Sequence, residues 1–221
     1  MRFAHPELDF YIDSNENEAN VLIIENSTFL YRLVSELSRQ IETSDGRFVL
    51  SDKNDILPLN KNMVLITDLF HIDSNQKKIL TKIYSSLSET ARDEFYALSA
   101  QTMAQNEQFI CELLDNYPSE LEYSAPTVEG LIKLFGVKVY EGGESLLEKL
   151  TDHIKLLNET FNISYFVIYS LHSMLNEEEL KQFYSFTFMR KYVILSLEHY
   201  PITPLECERV YIVDKDLCSV F

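Results

Sequence analysis

The stretch Met63–Tyr84, MVLITDLFHIDSNQKKILTKIY, decides the fold class. Its first residues, Met63–Thr67, are mostly apolar and predict a buried strand, and Asp68 follows at the tip of that strand. An Asx-rich turn at Asp73–Asn75 then leads into an amphipathic helix. The order of strand, turn and helix is typical of α/β proteins, which usually bind their ligands beyond the carboxyl ends of the strands.

The helix after this turn presents a basic face. It carries Lys77, Lys78 and Lys82 and has no acid between Gln76 and Tyr84. At about 100° per residue, Lys78 and Lys82 lie together on the side opposite to the apolar residues. These apolar residues are Ile79, Leu80, Ile83 and Leu87. Two interpretations stay open, namely a solvated face and a patch that follows the phosphates of DNA.

The preceding loop could extend such a patch with Arg47, Lys53 and Lys61. The chain as a whole is acidic, with 19 Lys and Arg against 35 Asp and Glu and a net charge of −16. That balance argues against nucleic acid and anionic membranes and in favour of cations or basic partners. A monomer with so few cations would bind DNA poorly, whereas a symmetric ring that aims the same patch inward from each subunit would multiply the local charge.

Length and composition indicate a globular protein of one large domain or two interleaved parts, with 221 residues of which 46% are hydrophobic. No run of about 18 apolar residues exists, so we expect no membrane-spanning helix. The N-terminal sequence MRFAHPELDF lacks the apolar run of a signal peptide. The odd cysteines Cys111, Cys207 and Cys218 predict reduced thiols, and we expect a cytoplasmic protein.

Further strands are predicted at both ends of the chain, at Val21–Glu25, Ser164–Tyr169, Tyr192–Leu197 and Arg209–Val213. Between them, from about Thr81 to Phe161, the pattern is almost all helical. Strands that alternate with helices predict a mainly parallel sheet. We therefore expect an α/β head formed by residues 1–85 and 162–221 and an inserted helical leg formed by residues 86–161.

Catalytic chemistry finds little support in the sequence. The loop after the first strand, Asn26–Phe29, contains no glycine and no lysine, so it cannot cradle phosphates as a nucleotide-binding loop does. Asp68 is better explained as a polar turn residue than as a magnesium-holding acid. There is no GxSxG motif, and the five histidines share no short ligand spacing with a cysteine.

One acidic loop is a candidate metal site, the segment DNYPSELEYSAPTVE. It places Asp115, Glu120, Glu122 and Glu129 around a proline-interrupted connection between two helices. Calcium prefers several oxygen ligands from a flexible loop. Acidic loops without metal are common, so the spacing alone leaves both interpretations open.

Several segments in order along nearly the whole chain carry a family resemblance. They are VLIIEN, LITDLFHIDSNQKKILTKIY, LEYSAPTVEGLIKLFGVKV, LLEKL with HIKLL, YFVIYSLHSMLNEEEL, and the closing strand before Asp214-Lys215-Asp216. The chain resembles the small ring-forming accessory protein of type II-A CRISPR adaptation, which is encoded beside the effector nuclease and the integrase pair.

The resemblance implies a P-loop-like head with a degenerate nucleotide site and no bound nucleotide, together with a helical leg. It also implies a homotetrameric ring steadied by calcium in acidic loops. Ends of double-stranded DNA would pass through a lysine-lined hole, without sequence specificity and without chemistry on the DNA, during spacer acquisition. Glu120 aligns with a calcium-ligand acid of the family, whereas Ser124 and Gly130 stand where relatives have acids.

Two other functions stay open. The first is a metal-dependent nuclease that uses Asp68 or the acids between Asp115 and Glu129. The second is a protein-interaction scaffold in which DNA plays no part.

Overall fold

Ten strands and eight helices make up the described part of the chain, residues 1–53 and 55–220 of a computed structural model. The strands are β1 (Arg2–Ala4), β2 (Ile12–Asp13), β3 (Ala19–Ile24), β4 (Val49–Asp52), β5 (Asp55–Leu57), β6 (Met63–Ile66), β7 (Tyr165–Tyr169), β8 (Val193–Glu198), β9 (Glu208–Val213) and β10 (Ser219–Val220). The helices are α1 (Ser27–Thr43), α2 (Leu59–Asn62), α3 (Lys77–Asp93), α4 (Tyr96–Asp115), α5 (Val128–Leu134), α6 (Leu146–Phe161), α7 (Leu171–Met174) and α8 (Glu177–Met189).

The large sheet confirms the predicted α/β class. Its order is β10-β9-β3-β8-β7-β6, and the five strands from β9 to β6 are parallel, while β10 is antiparallel to β9. All six residues of β3 are buried, as expected for a strand of a parallel sheet that is covered on both faces. The first and last thirds of the chain interleave in this sheet, since β3 lies between β8 and β9.

A second, antiparallel sheet has the order β2-β1-β4-β5, of which the sequence pattern indicates only a small edge strand at Arg47–Leu50, close to β4. Phe3, Ile12 and Leu50 from this small sheet share one hydrophobic core with Leu22 and Val167 of the large sheet. The apolar face of α1 joins the same core. Strands of two to four residues give weak alternation, which explains why the sequence pattern does not reveal β1, β2 and β5.

The chain divides into two compact units. Unit 1 comprises Met1–Ile72 and the chain from Gly142 onward, and unit 2 comprises Asp73–Glu141. The predicted leg, residues 86–161, differs from unit 2 at both ends, because α3 belongs to unit 2 and α6 to unit 1. Helix α6 buries Leu150, His153, Ile154 and Leu157 and contacts α8. Helical periodicity shows that a helix has a buried face but not which element covers that face.

Cap residues set the helix starts. Asn176 and Glu179 form the predicted capping box at the start of α8, and Ser145 with Glu148 forms another at the start of α6. Within the described residues, no helix combines the length and the apolar character needed to cross a bilayer.

Candidate nucleic-acid interface

The turn before α3 is fixed by hydrogen bonds within unit 2. As the Asx pattern predicts, the Asn75 amide donates to Asp73 Oδ1 at 2.8 Å. The Asn75 side chain also pairs with the backbone of Val139 in both directions, at 3.1 Å and 2.8 Å. The Ser74 amide donates to Glu141 Oε1 at 2.8 Å. These bonds tie the start of α3 to the segment that follows α5.

Helix α3 presents its lysines to solvent. Ile79 is 3% exposed, while Lys77, Lys78 and Lys82 are all exposed, so the predicted division into an apolar and a basic side is confirmed for these residues. Leu87, predicted on the apolar side, is instead 40% exposed.

The position of these lysines on α3 is unusual. Lys77 and Lys78 occupy the first turn, which contains no acid, and Gln76 provides no side-chain cap. Cations there oppose the helix dipole, at a cost of roughly 0.3–1 kcal/mol each. The helix end and the lysine charges therefore add up to a positive surface suited to an anion.

The other three predicted DNA-contacting cations lie in unit 1. Lys53 is exposed next to β4 with a φ of 55°, and Lys61 is exposed in the last turn of α2. Among the described residues, neither forms an ion pair of 4.0 Å or less. Arg47 pairs with Glu36 and Glu7, both at 2.7 Å, so its charge is already matched by carboxylates of its own chain.

The four candidate calcium ligands do not converge within one chain. Asp115 ends α4, Glu120 and Glu122 lie in the loop before α5, and Glu129 lies in the first turn of α5. Glu129 pairs with Lys133 at 2.6 Å. Across residues 1–53 and 55–220, no group of three or more His, Cys, Asp or Glu side chains is placed to hold a metal ion. The acids of one chain therefore do not fit a calcium site.

The Asp68 carboxylate is hydrogen-bonded to the loop that follows β6. Its Oδ1 accepts from the amides of Phe70 and His71 at 2.9 Å and 3.1 Å, and its Oδ2 is 2.8 Å from His71 Nδ1. The hydrogen bond with His71 lowers the pKa of this carboxyl. This geometry supports the polar turn residue over the metal-holding acid.

The loop after β3 serves to cap α1. Asn26 Oδ1 accepts from the Phe29 amide at 3.0 Å, and Asn26 Nδ2 donates to the Lys215 carbonyl at 3.0 Å. A nucleotide-binding loop uses the free backbone amides at this position to bind phosphate. Here the Asn26 side chain accepts one of these amide hydrogen bonds and caps the helix.

A buried polar cluster in unit 1 is not evident from the sequence. Glu208, whose side chain is fully buried, accepts from Tyr184 OH at 2.6 Å, His172 Nε2 at 2.8 Å and the Leu205 amide at 2.8 Å. Burial alone would raise the pKa of Glu208, but these hydrogen bonds outweigh it and the pKa lies below its ordinary value. The only sequence signal is an acid within a largely apolar strand.

Unit 2 leaves an extensive apolar surface open. Within residues 73–141, only Ser74 and Ile79 are buried. Large apolar and aromatic side chains exposed in α3, α4, α5 and the neighbouring loops are Leu87, Phe95, Tyr96, Leu98, Phe109, Leu113, Tyr117, Leu121, Tyr123, Leu134, Phe135, Val137 and Tyr140. Exposed apolar surface on this scale marks an interaction site.

Comparisons with known proteins relate this chain to one family. The model of the family described as CRISPR-associated protein (Cas_Csn2) matches residues 40–217. A protein of Streptococcus agalactiae, "CRISPR-associated protein Csn2", is 25% identical over 203 residues, which span 90% of this chain and 89% of the relative. In fold, the chain is similar to the crystal structure of Stu0660 of Streptococcus thermophilus, with a TM-score of 0.63, 13% identity, and coverage of 100% of this chain and 76% of the other. The family match, which extends over most of the chain, shows that the protein belongs to the family of the CRISPR-associated protein Csn2.

Proposed function

We propose that the protein is a non-catalytic, homotetrameric ring that binds the ends of double-stranded DNA without sequence preference during CRISPR spacer acquisition. Membership of the Csn2 family supports the link to CRISPR, and the integrase and effector nuclease of the same system are the expected protein partners. The observation that carries DNA binding is the exposed lysine face at the start of α3, formed by Lys77, Lys78 and Lys82.

Charge favours a ring over a monomer. One chain has a net charge of −16, so its surface as a whole repels DNA. A closed ring that turns α3 of every copy inward brings several lysine faces close together, where their fields add. Lys53 and Lys61 are further candidates for phosphate contact, whereas Arg47 is a weaker one because Glu7 and Glu36 already pair with it.

The open apolar surface of unit 2 supports assembly. A chain that folds alone covers most of its large apolar side chains, yet α4 and α5 bury no residue. Contact between copies would cover side chains such as Leu134 and Phe135, which are 80% and 77% exposed.

In this proposal, calcium binds between copies of the chain and stabilises the ring. The acids Asp115, Glu120, Glu122 and Glu129 do not form a metal site within one chain, so a calcium requirement would need ligands from a second copy. A P-loop-like origin of the head, with a degenerate site and no nucleotide, agrees with the capping role of Asn26.

The α3 lysines are tested by charge reversal. Lys78→Glu combined with Lys82→Glu should weaken binding of linear duplex DNA at least tenfold at low salt and make its salt dependence shallower, because phosphate contacts are lost in every copy. The ring mass should not change. A mobility shift assay measures binding, and light scattering measures mass.

The matched control is Lys149→Glu combined with Lys155→Glu, which makes the same change in net charge on α6. It should leave duplex binding within about twofold of the wild type, since nonspecific charge alone has a small effect when contacts are kept. The proposal would be contradicted if both double variants weakened duplex binding equally, or if neither weakened it.

A closed circular duplex should compete poorly with the linear form, because a ring needs an end to thread. Cleavage of linear DNA with magnesium or manganese that is lost in Asp68→Ala would identify a nuclease instead.

A further inference from the structure

A cavity of about 290 Å³ opens at the carboxyl edge of the parallel sheet in unit 1. The residues that line it follow or end four strands of that sheet: Ser27 comes after β3, Thr67 after β6, Tyr169 at the end of β7, and His199 after β8. Open α/β sheets place their ligands at this edge. The volume is close to the lower end of the range for small-molecule sites, roughly 300–1,000 Å³.

The lining contains no Asp, Glu, Lys or Arg side chain. Leu30 and Val34 of α1 supply apolar surface, and Tyr31, Tyr169 and His199 supply three rings. Without Lys or Arg in the wall, and without glycine in the loop 26–29, the cavity offers a phosphate group neither a cation nor a glycine-rich backbone cradle. The lining therefore favours an uncharged ligand.

Polar atoms around the cavity are available to a ligand. His199 Nδ1 donates to the Ile24 carbonyl at 2.9 Å, so Nε2 of the neutral ring is left as an acceptor. Among the described residues, the hydroxyls of Ser27, Thr67 and Tyr169 form no hydrogen bond of 3.5 Å or less, and each can donate or accept. The site combines ring surfaces with several groups that can bond to a heterocycle's edge.

Two exposed aromatic side chains belong to the lining or contact it. Tyr31, a lining residue, is 76% exposed, and Tyr200, which is 71% exposed and outside the lining, contacts the His199 ring with centroids 4.6 Å apart. Exposed rings of this kind stack on planar ligands.

We propose that this cavity binds a small, uncharged, planar heterocycle with hydrogen-bonding groups on its edge, of the purine nucleobase or nucleoside class. The ring stacks against the tyrosines and His199, and its edge bonds to the hydroxyls of Thr67 and Tyr169 and to His199 Nε2. The site lies in unit 1 and is independent of the α3 lysines of unit 2.

Adenosine is the probe for this site, with ATP as its charged counterpart. Calorimetric titration of the full chain should show saturable binding of adenosine, and ATP should bind no more tightly, because the cavity has no cation to pair with its phosphates. Ser27→Trp, which fills the cavity, should weaken adenosine binding at least tenfold. Thr28→Trp is the matched control, since Thr28 is the next residue of α1 and does not line the cavity.

A subtler variant separates recognition from folding. Tyr169→Phe keeps the ring and removes only the hydroxyl, and it should weaken adenosine binding about fivefold, as expected for one lost hydrogen bond. The proposal is overturned if adenosine shows no saturable binding, if ATP binds more tightly than adenosine, or if Thr28→Trp weakens binding as much as Ser27→Trp. Ser27→Trp should bind linear duplex DNA at the wild-type level, which would show that the cavity and the α3 lysines act independently.

Discussion

Arg47 is held by carboxylates from two other segments of unit 1. Its guanidinium contacts Glu36 and Glu7, and its backbone amide donates to Glu36 Oε1 at 3.0 Å. Hydrogen bonds from the side chain of Arg47, and secondarily from its backbone amide, outweigh the effect of burial and lower the pKa of Glu36 from 4.5 to about 2. The two partners lie 11 and 40 residues away in the chain, so sequence spacing could not show that this cation is already paired, and Arg47 was predicted to contact DNA.

The pairing of Arg47 predicts a pH-dependent effect on stability. Because the pKa of Glu36 is lower in the folded than in the unfolded chain, its contribution is fully present above pH 4.5 and is lost as pH falls towards 2. Arg47→Met should lower Tm by a few degrees at neutral pH, and its difference from the wild type should narrow below pH 4.5. Thermal denaturation at several pH values measures this, with Arg39→Met, which removes an exposed cation, as the control. A difference that stays constant down to the acid limit of folding would contradict the assignment.

Among the elements, α3 depends on a segment far from it in sequence. The side chain of Asn75 bonds both the carbonyl and the amide of Val139, and Tyr84 OH donates to the Val137 carbonyl at 2.6 Å. The Asx turn and the helix are predictable from local sequence. The return of residues 137–141 to the start of α3 is not predictable, because hydrogen bonds to irregular backbone leave no periodic pattern.

Asn75→Ala should loosen this return segment. It removes two hydrogen bonds, each worth about 1 kcal/mol, so exchange of the Val139 amide should accelerate roughly 5- to 30-fold. Hydrogen exchange followed by NMR or mass spectrometry measures the change. Asn60→Ala, which removes a longer bond to the Ser44 hydroxyl at 3.3 Å in unit 1, should leave Val139 unaffected. Unchanged protection of Val139 in Asn75→Ala would show that other contacts hold the segment.

At the scale of the whole molecule, helical spacing predicts one helix over Ser88–Asn116, whereas the structure divides this stretch between α3 and α4. The spacing does not predict that the apolar residues of α4 are exposed. Phe95, Leu98, Phe109 and Leu113 recur at helical spacing, and all four are more than half exposed in one chain. Periodicity identifies a face that needs a partner, and the partner can equally be another element or another copy. By contrast, the parallel sheet formed from both ends of the chain is predictable, because its strands are continuous apolar runs.

We expect acidic substitutions on the exposed apolar surface of unit 2 to weaken assembly. Leu134→Asp combined with Phe135→Asp should raise the concentration at which the oligomer forms at least tenfold, because two exposed apolar side chains would no longer be removed from water between copies. Helix content by circular dichroism should stay at the wild-type level, since neither side chain is buried in one chain. Light scattering across a concentration series measures the mass. Met189→Asp, at a residue of unit 1 that is 77% exposed, is the matched control and should keep the wild-type mass.

The interleaving of the sheet has a consequence for biosynthesis. Strand β3 ends at Ile24, but its two neighbours, β8 and β9, begin only at Val193 and Glu208. A growing chain therefore carries an apolar strand with no partner until those distant segments have been made, a condition that favours aggregation and slow, non-local folding. A nonsense mutation anywhere before Glu208 would leave β3 unpaired along one side, so even a truncation of the last few strands would be expected to yield an insoluble product.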